Sequence, residues 1–165
     1  MPAPTNAFKA ALRTGEVQVG TWLGFADAYI AEAAATADFD WFLIDGEHAP
    51  NDNPSILSQV AVVQGAGRNA VVRLPIGESW MVKQALDLGV QTLLMPMVDS
   101  AEMAKKLVRD CLYPPQGHRG VGAGLARVLV DVRAPHSNAA SGFNNRPRHD
   151  VDKGRFARPI AANQT

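Results

Sequence analysis

Apolar and polar residues follow two periods along this chain, and the two periods take turns. Short apolar runs at Val17–Gly24, Asp40–Ile44, Val71–Leu74 and Thr92–Val98 read as strands. Between them apolar residues recur at helical spacing. Ile30, Ala33, Ala34 and Ala37 do so within Asp27–Ala37, and Val82, Ala85 and Leu86 within Ser79–Leu88. Met103, Ala104, Leu107 and Val108 repeat the pattern within Ser100–Cys111. Pro54–Val63 suits a further helix, with Pro54 in its first turn and Asp52 or Asn53 as its cap. A short helix over Asn6–Thr14, with Phe8, Ala11 and Leu12 on one face and a stop at Gly15, precedes the first strand. Gly65-Ala66-Gly67 and Gly89 supply the other helix stops.

Four strand–helix repeats with short links predict a parallel sheet covered by helices, an α/β fold. No dinucleotide fingerprint follows the first strand, and no Gly-Lys-Ser/Thr phosphate loop occurs. The pattern therefore points to a (β/α) TIM-barrel type. About four β/α units are half of the eightfold barrel, which typically takes ~250 residues, so the barrel reads as incomplete. From Val128 the periodicity fails. Val128–Val132 has the composition of a strand, but Ser137–Thr165 is rich in Asn, Arg, Pro and Ala and reads as disordered. The expected organisation is a half barrel over 1–127 and a divergent tail over 128–165.

Composition narrows the partners. Apolar residues make up 47% of the 165, enough for a sizeable core. The 16 basic and 16 acidic residues cancel, which argues against nucleic acid or a membrane surface as partner. The balance hides an asymmetry: 10 basic and 13 acidic residues through Arg127, then 6 and 3 from Val128. The single cysteine, Cys111, excludes an internal disulfide and suits a small buried residue at a helix end better than a nucleophile. Met1-Pro2-Ala3-Pro4-Thr5 lacks the basic start and apolar stretch of a secretory leader, and no segment is long enough to span a bilayer. A soluble cytoplasmic protein is the expectation.

The candidate chemistry lies where strands leave the core. Phe39-Asp40-Trp41-Phe42-Leu43-Ile44 ends abruptly in Asp45-Gly46-Glu47-His48. Barrel enzymes place acid and base groups at such ends. Asp45 and His48 suit a carboxylate–imidazole dyad for proton transfer, or else a turn cap and a surface loop residue. Metal ligation by His48 is the weaker reading, because no other His stands at ligand spacing. Arg73 ends the next strand, where its planar fork would suit a carboxylate or enolate oxygen, or a structural salt bridge. Asp87 sits at a helix end, against the helix dipole, which calls for a partner or a solvated side chain. His118 and Arg119 lie in the Pro- and Gly-rich loop Tyr113–Gly122, as anion ligands or as solvated residues. Trp22, Trp41 and Trp80 read as core or interface residues.

The ordered motifs resemble the HpcH/HpaI aldolase family, most closely its 4-hydroxy-2-oxoheptanedioate branch. They are Phe8-Lys9-Ala10-Ala11-Leu12, Gly20-Thr21-Trp22-Leu23-Gly24, the Phe39–Asn51 stretch, Val71-Val72-Arg73, Lys83–Gly89, Gln91–Val98 and Tyr113-Pro114-Pro115-x-Gly117-x-Arg119-Gly120-Val121-Gly122. Together they run from about Phe8 to Arg127.

The resemblance implies a TIM-type barrel and a divalent-metal aldolase using Mg, Mn or Co. Such an enzyme reversibly cleaves a 4-hydroxy-2-oxo acid to pyruvate and an aldehyde, both small molecules. By position His48 is the base, working through a metal-bound water, and Asp45 orients it. Arg73 holds the carbonyl oxygen, and Asp87 supports the histidine across a subunit interface. Glu47, Gly46 and the Gly120 loop are assigned support only. The family's two acidic metal ligands, a Glu and an Asp, come from later strands. The resemblance as read ends before them, so no metal ligand is assigned, and Asp131 is not one. The change after Arg127 reads as a frameshift or mis-spliced gene. Two further readings accompany the aldolase: a truncated, non-catalytic family remnant that associates with itself or with intact relatives, and an unrelated half-barrel module for phosphate or carboxylate.

Overall fold

A computed structural model of the chain describes residues 5–122, all within the first of its two units, Met1–Arg133. The expected boundary at Arg127 and the tail beyond it lie outside the described residues. The elements alternate as the periodicity predicts. They are α1 (Ala7–Thr14), β1 (Gly20–Leu23), α2 (Ala28–Ala35), β2 (Trp41–Asp45), α3 (Asn53–Gly65), β3 (Asn69–Arg73), α4 (Ser79–Asp87), β4 (Thr92–Leu94) and α5 (Ala101–Cys111). The strands form one parallel sheet in the order β1-β2-β3-β4.

Local chemistry sets the helix ends. Asn6, Asp27, Asp52 and Ser100 cap α1, α2, α3 and α5 by accepting a backbone N–H with their side chains. Asp52 and Ser55 satisfy each other's backbone donors in a capping box, with Pro54 in the first turn. Gly15 closes α1 at φ 76°, a left-handed conformation that glycine takes without strain.

Two strands are shorter than the apolar runs suggest. Residues 17–19 stay outside β1 because Asp40 claims Val19. The Asp40 carboxylate accepts the Val19 N–H at 2.7 Å, and the Asp40 N–H donates to Val19 O at 2.7 Å. The ladder of β4 ends at Leu94, whose carbonyl accepts from Leu74. Pro96 then lacks a donor and Met97 turns left-handed at φ 54°, so the chain leaves the sheet before Val98.

Side-chain alternation sorts the strands into two faces. Leu23, Phe42, Ile44, Ala70, Val72 and Leu74 pack into one apolar cluster with Ala31 and Ala35 of α2, Ile56, Val60 and Val63 of α3, and Val82, Ala85 and Leu86 of α4. Val90, after α4, and Leu107 of α5 belong to it as well. Phe42, Ile44, Val63, Val72 and Val82 are fully buried. Each such side chain contributes about 1.5–3 kcal/mol. The opposite parity (Trp22, Leu43, Asp45, Val71, Arg73) lies on the other face, and it carries the charged strand ends.

A second, polar knot ties the later helices. The buried Asp110 carboxylate accepts from Ser79 Oγ at the start of α4 (2.8 Å) and from Lys106 Nζ one turn back in α5 (2.8 Å). It also lies 3.3 Å from His118 Nδ1 in the loop after α5. Burial alone would raise its pKa, but hydrogen bonds from Lys106, Ser79 and His118 outweigh burial and hold it below 3.8. Next to it, burial and then the Asp110 charge push the Cys111 thiol up to about 11. That favours the protonated thiol, as expected of a small buried residue. Among the described residues no helix is long and apolar enough to cross a membrane.

Two stability outcomes follow from this packing. Phe42→Ala should cost about 3–5 kcal/mol in denaturant unfolding. Tyr29→Ala, at a side chain 81% exposed, should stay within ~0.5 kcal/mol. A smaller loss at Phe42 than at Tyr29 would refute the core assignment. Because Asp110 has a lowered folded pKa, its contribution is present above 3.8 and lost as pH falls through the folded value. Asp110→Asn should therefore be less stable than wild type at pH 7, with the gap narrowing on acidification below 3.8; a gap independent of pH would count against the knot.

Candidate active site

Register brings the two expected charges together. In the β2–β3 ladder Asp45 is the direct partner of Arg73, and each is the last residue of its strand. Arg73 Nε donates to Asp45 Oδ1 at 2.9 Å and Nη2 donates to Oδ2 at 2.6 Å, a two-pronged charge-assisted pair. On a second side Arg73 Nη1 lies 2.8 Å from Glu47 Oε2. That contact is an ion pair without hydrogen-bond alignment, since Oε2 is buried with no hydrogen-bond partner among the described residues. On a third side the guanidinium carbon stands 4.6 Å from the centroid of the Trp22 ring. Nη1 and Nη2 each keep a second N–H, and the side chain is 16% exposed.

Asp45 also organises the loop that follows it. Its Oδ1 accepts the backbone N–H of Glu47 at 2.9 Å and of His48 at 3.2 Å. Gly46 N donates to Arg73 O at 2.9 Å, and a Cβ at Gly46 would stand 2.7 Å from that oxygen. Only glycine lets the chain cross the end of β3 so closely. The Arg73 hydrogen bonds, joined by the two loop N–H groups, lower the Asp45 pKa from 3.8 to about 2 despite burial. The pair therefore stabilises the fold above 3.8, and this contribution fades as pH falls towards about 2.

The expected Asp45–His48 dyad does not form. Asp45 holds the backbone N–H of His48, not its ring, because the bidentate Arg73 fork occupies the carboxylate. The His48 side chain is 74% exposed, with Nε2 3.7 Å from Glu47 Oε1. Glu47, expected only as support, thus stands between Arg73 and His48.

Asp87, the last residue of α4, is held by Arg119 Nη2 at 2.5 Å. That answers the unfavourable helix-end placement. Arg119 is neither solvated nor an open anion ligand: its side chain is fully buried, 4.7 Å from the Tyr113 ring centroid. His118 turns to Asp110. Among the described residues no hydrogen bond or ion pair joins Asp87 to Asp45, His48 or Arg73.

Three contributors were not legible as site residues. Trp22 is half-exposed and stacks on Arg73, where a core or interface role was expected. Its signal was parity, since Trp22 and Leu23 alternate and Leu23 is the buried one. Asn51 and Gln59 link α3 to the end of β2 through side-chain amides, which leave no periodic trace.

Among the described residues no group of three or more His, Cys, Asp or Glu side chains could hold a metal ion. Both Asp45 oxygens are committed to Arg73, and Glu47 Oε2 faces the same cation. The described residues therefore do not fit a divalent ion by themselves.

Residues 18–145 match the HpcH/HpaI aldolase/citrate lyase family, which carries the likeness past Arg127. The hydroxypyruvate/pyruvate aldolase of Roseovarius nubinhibens is 61% identical over 128 residues, 78% of this chain and 50% of that protein. The 4-hydroxy-2-oxovalerate aldolase of Rhodococcus jostii is 54% identical over 128 residues, 76% of this chain and 49% of that protein. The crystal structure of an HpcH/HpaI aldolase/citrate lyase family protein from Burkholderia cenocepacia superposes with a TM-score of 0.69 at 38% identity. That superposition covers 74% of this chain and 52% of the other. The chain spans about half the length of the curated relatives it matches. With its four-stranded parallel α/β sheet and a match over 18–145, this chain belongs to the HpcH/HpaI aldolase/citrate lyase family.

Proposed function

We propose that the protein acts as a 2-oxo-acid aldolase, a carbon–carbon lyase that reversibly cleaves a 4-hydroxy-2-oxo acid to pyruvate and an aldehyde. The observation that carries this reading is the Arg73 guanidinium. It is fixed by Asp45, Glu47 and Trp22, has N–H groups that no hydrogen bond among the described residues uses, and lies at the strand end next to the loop of the exposed His48. The aldolase names of the relatives support it over the non-catalytic remnant.

In this reading Arg73 receives the 2-oxo oxygen of the substrate on its remaining N–H groups. His48 takes the proton from the 4-hydroxyl, the C3–C4 bond breaks, and the aldehyde leaves. The electron pair moves onto the 2-oxo oxygen as an enolate, which the Arg73 charge stabilises. His48 then returns the proton to C3, which gives pyruvate and restores the base. Asp45 acts at one remove: it locks the Arg73 plane and holds the His48 backbone. Asp87 serves through its pair with Arg119. A divalent ion, Mg, Mn or Co, is expected from the resemblance; no step is assigned to it, because the described residues supply no complete ligand set.

The test is pyruvate release by the purified chain from a 4-hydroxy-2-oxo acid, with Mg²⁺, Mn²⁺ or Co²⁺ supplied. Release is expected, and its absence overturns the aldolase reading. His48→Ala should lower kcat by about 10²–10⁴-fold. Arg73→Ala should lower kcat/KM by about 10²–10³-fold. An unchanged rate in either variant removes that residue from its role.

A further inference from the structure

Gln59 is a polar side chain in an apolar place. It lies on the inner face of α3 with Ile56, Val60 and Val63, and its exposure is 0%. Its Oε1 is buried without a hydrogen-bond partner among the described residues. Reversing the amide would not help, because both N–H groups are in use: Nε2 donates to Asn51 Oδ1 at 2.6 Å and to Ser55 O at 3.1 Å. Burying an unmatched acceptor opposes folding, so packing alone favours an apolar residue here. The amide's contribution lies in what Nε2 holds.

What it holds is the far end of the catalytic loop. With Oδ1 accepting from Gln59, the Asn51 amide has only one usable orientation, and its Nδ2 donates to Asp45 O at 2.8 Å. Ser55 Oγ also reaches Asn51 Oδ1, at 3.1 Å, but its single proton is shared with Asp52 O at 3.0 Å. Gln59 is therefore the firm donor. The Asp45–Asn51 bond closes residues 46–50 into a ring, and His48 sits within it. Among the described residues the ring of His48 has only the 3.7 Å approach to Glu47 to place it, so its position follows its backbone. We infer that Gln59, acting through Asn51, is a positioning residue that sets the His48 loop for proton transfer. This inference rests on the aldolase reading for its consequence in catalysis, but not for its geometry.

Two measurements on the full chain test it. In the pyruvate-release assay Gln59→Met, of similar volume but with no donor, should lower kcat about tenfold while KM for the 2-oxo acid stays within about twofold, since the two-pronged Asp45 pair still holds Arg73. Asn51→Ala should do the same, and the double variant should lose no more than either single one. Amide hydrogen exchange at Glu47 and His48 should speed up in both variants, a readout that needs no activity. If wild type releases no pyruvate, the function is wrong and exchange alone judges the positioning. Unchanged exchange at Glu47 and His48 in both variants, or additive losses of kcat, would overturn the inference. Should Gln59→Met fail to fold, Asn51→Ala decides it by the same two criteria.

Discussion

The bidentate pair between Asp45 and Arg73 is the constraint around which the site is built. Both residues end neighbouring parallel strands in direct register, so the pair forms without any loop having to search for it. Taking two charges out of water is costly unless each is well bonded, and here each is. Asp45 adds two backbone N–H donors to the guanidinium, and Arg73 adds Glu47 and the Trp22 face. Those same bonds give the Gly46–His48 turn its shape. The ion pair is thus a structural brace between the ends of β2 and β3.

The division of labour between the two sheet faces explains how such a polar site survives beside a close-packed core. One parity of each strand feeds the helix-covered cluster, and the other presents Trp22, Asp45 and Arg73. Moving the register by one residue would turn Asp45 and Arg73 towards the helix-covered cluster and Phe42 and Ile44 onto the other face. Two polar connections then reach across the layers. Gln59 and Asn51 run from the inner face of α3 to the end of β2. Asp110 joins α4, α5 and the loop whose Arg119 holds Asp87. Each replaces bulk packing with a few directed bonds, where orientation matters more than buried area.

Much of this architecture was legible along the chain. Alternating periods located every described helix and strand, and Asp52, Pro54 and Gly15 marked ends by capping chemistry that acts within four residues. Strand ends at Val17–Val19 and Met95–Val98 were overextended for one reason. Hydrophobicity says what can be buried, but a strand stops where its neighbour stops offering hydrogen bonds. The dyad expected between Asp45 and His48 failed in the same way. Three residues of separation make a contact available, yet a guanidinium 28 positions away in sequence binds the carboxylate better.

By itself, then, the sequence determined what local forces decide: the order of elements, the parallel α/β class, the helix caps, and the placing of Asp45, His48 and Arg73 where strands emerge. Tertiary structure decided every pairing of those groups. It assigned Asp45 to Arg73 rather than to the His48 ring, Arg119 to Asp87 rather than to solvent, Trp22 to a stacking face, and Gln59 to the loop beyond β2. The reason is range. Propensity and periodicity act over a few residues, whereas an ion pair or an amide bond depends on which side chains the sheet register brings within about 3 Å of one another.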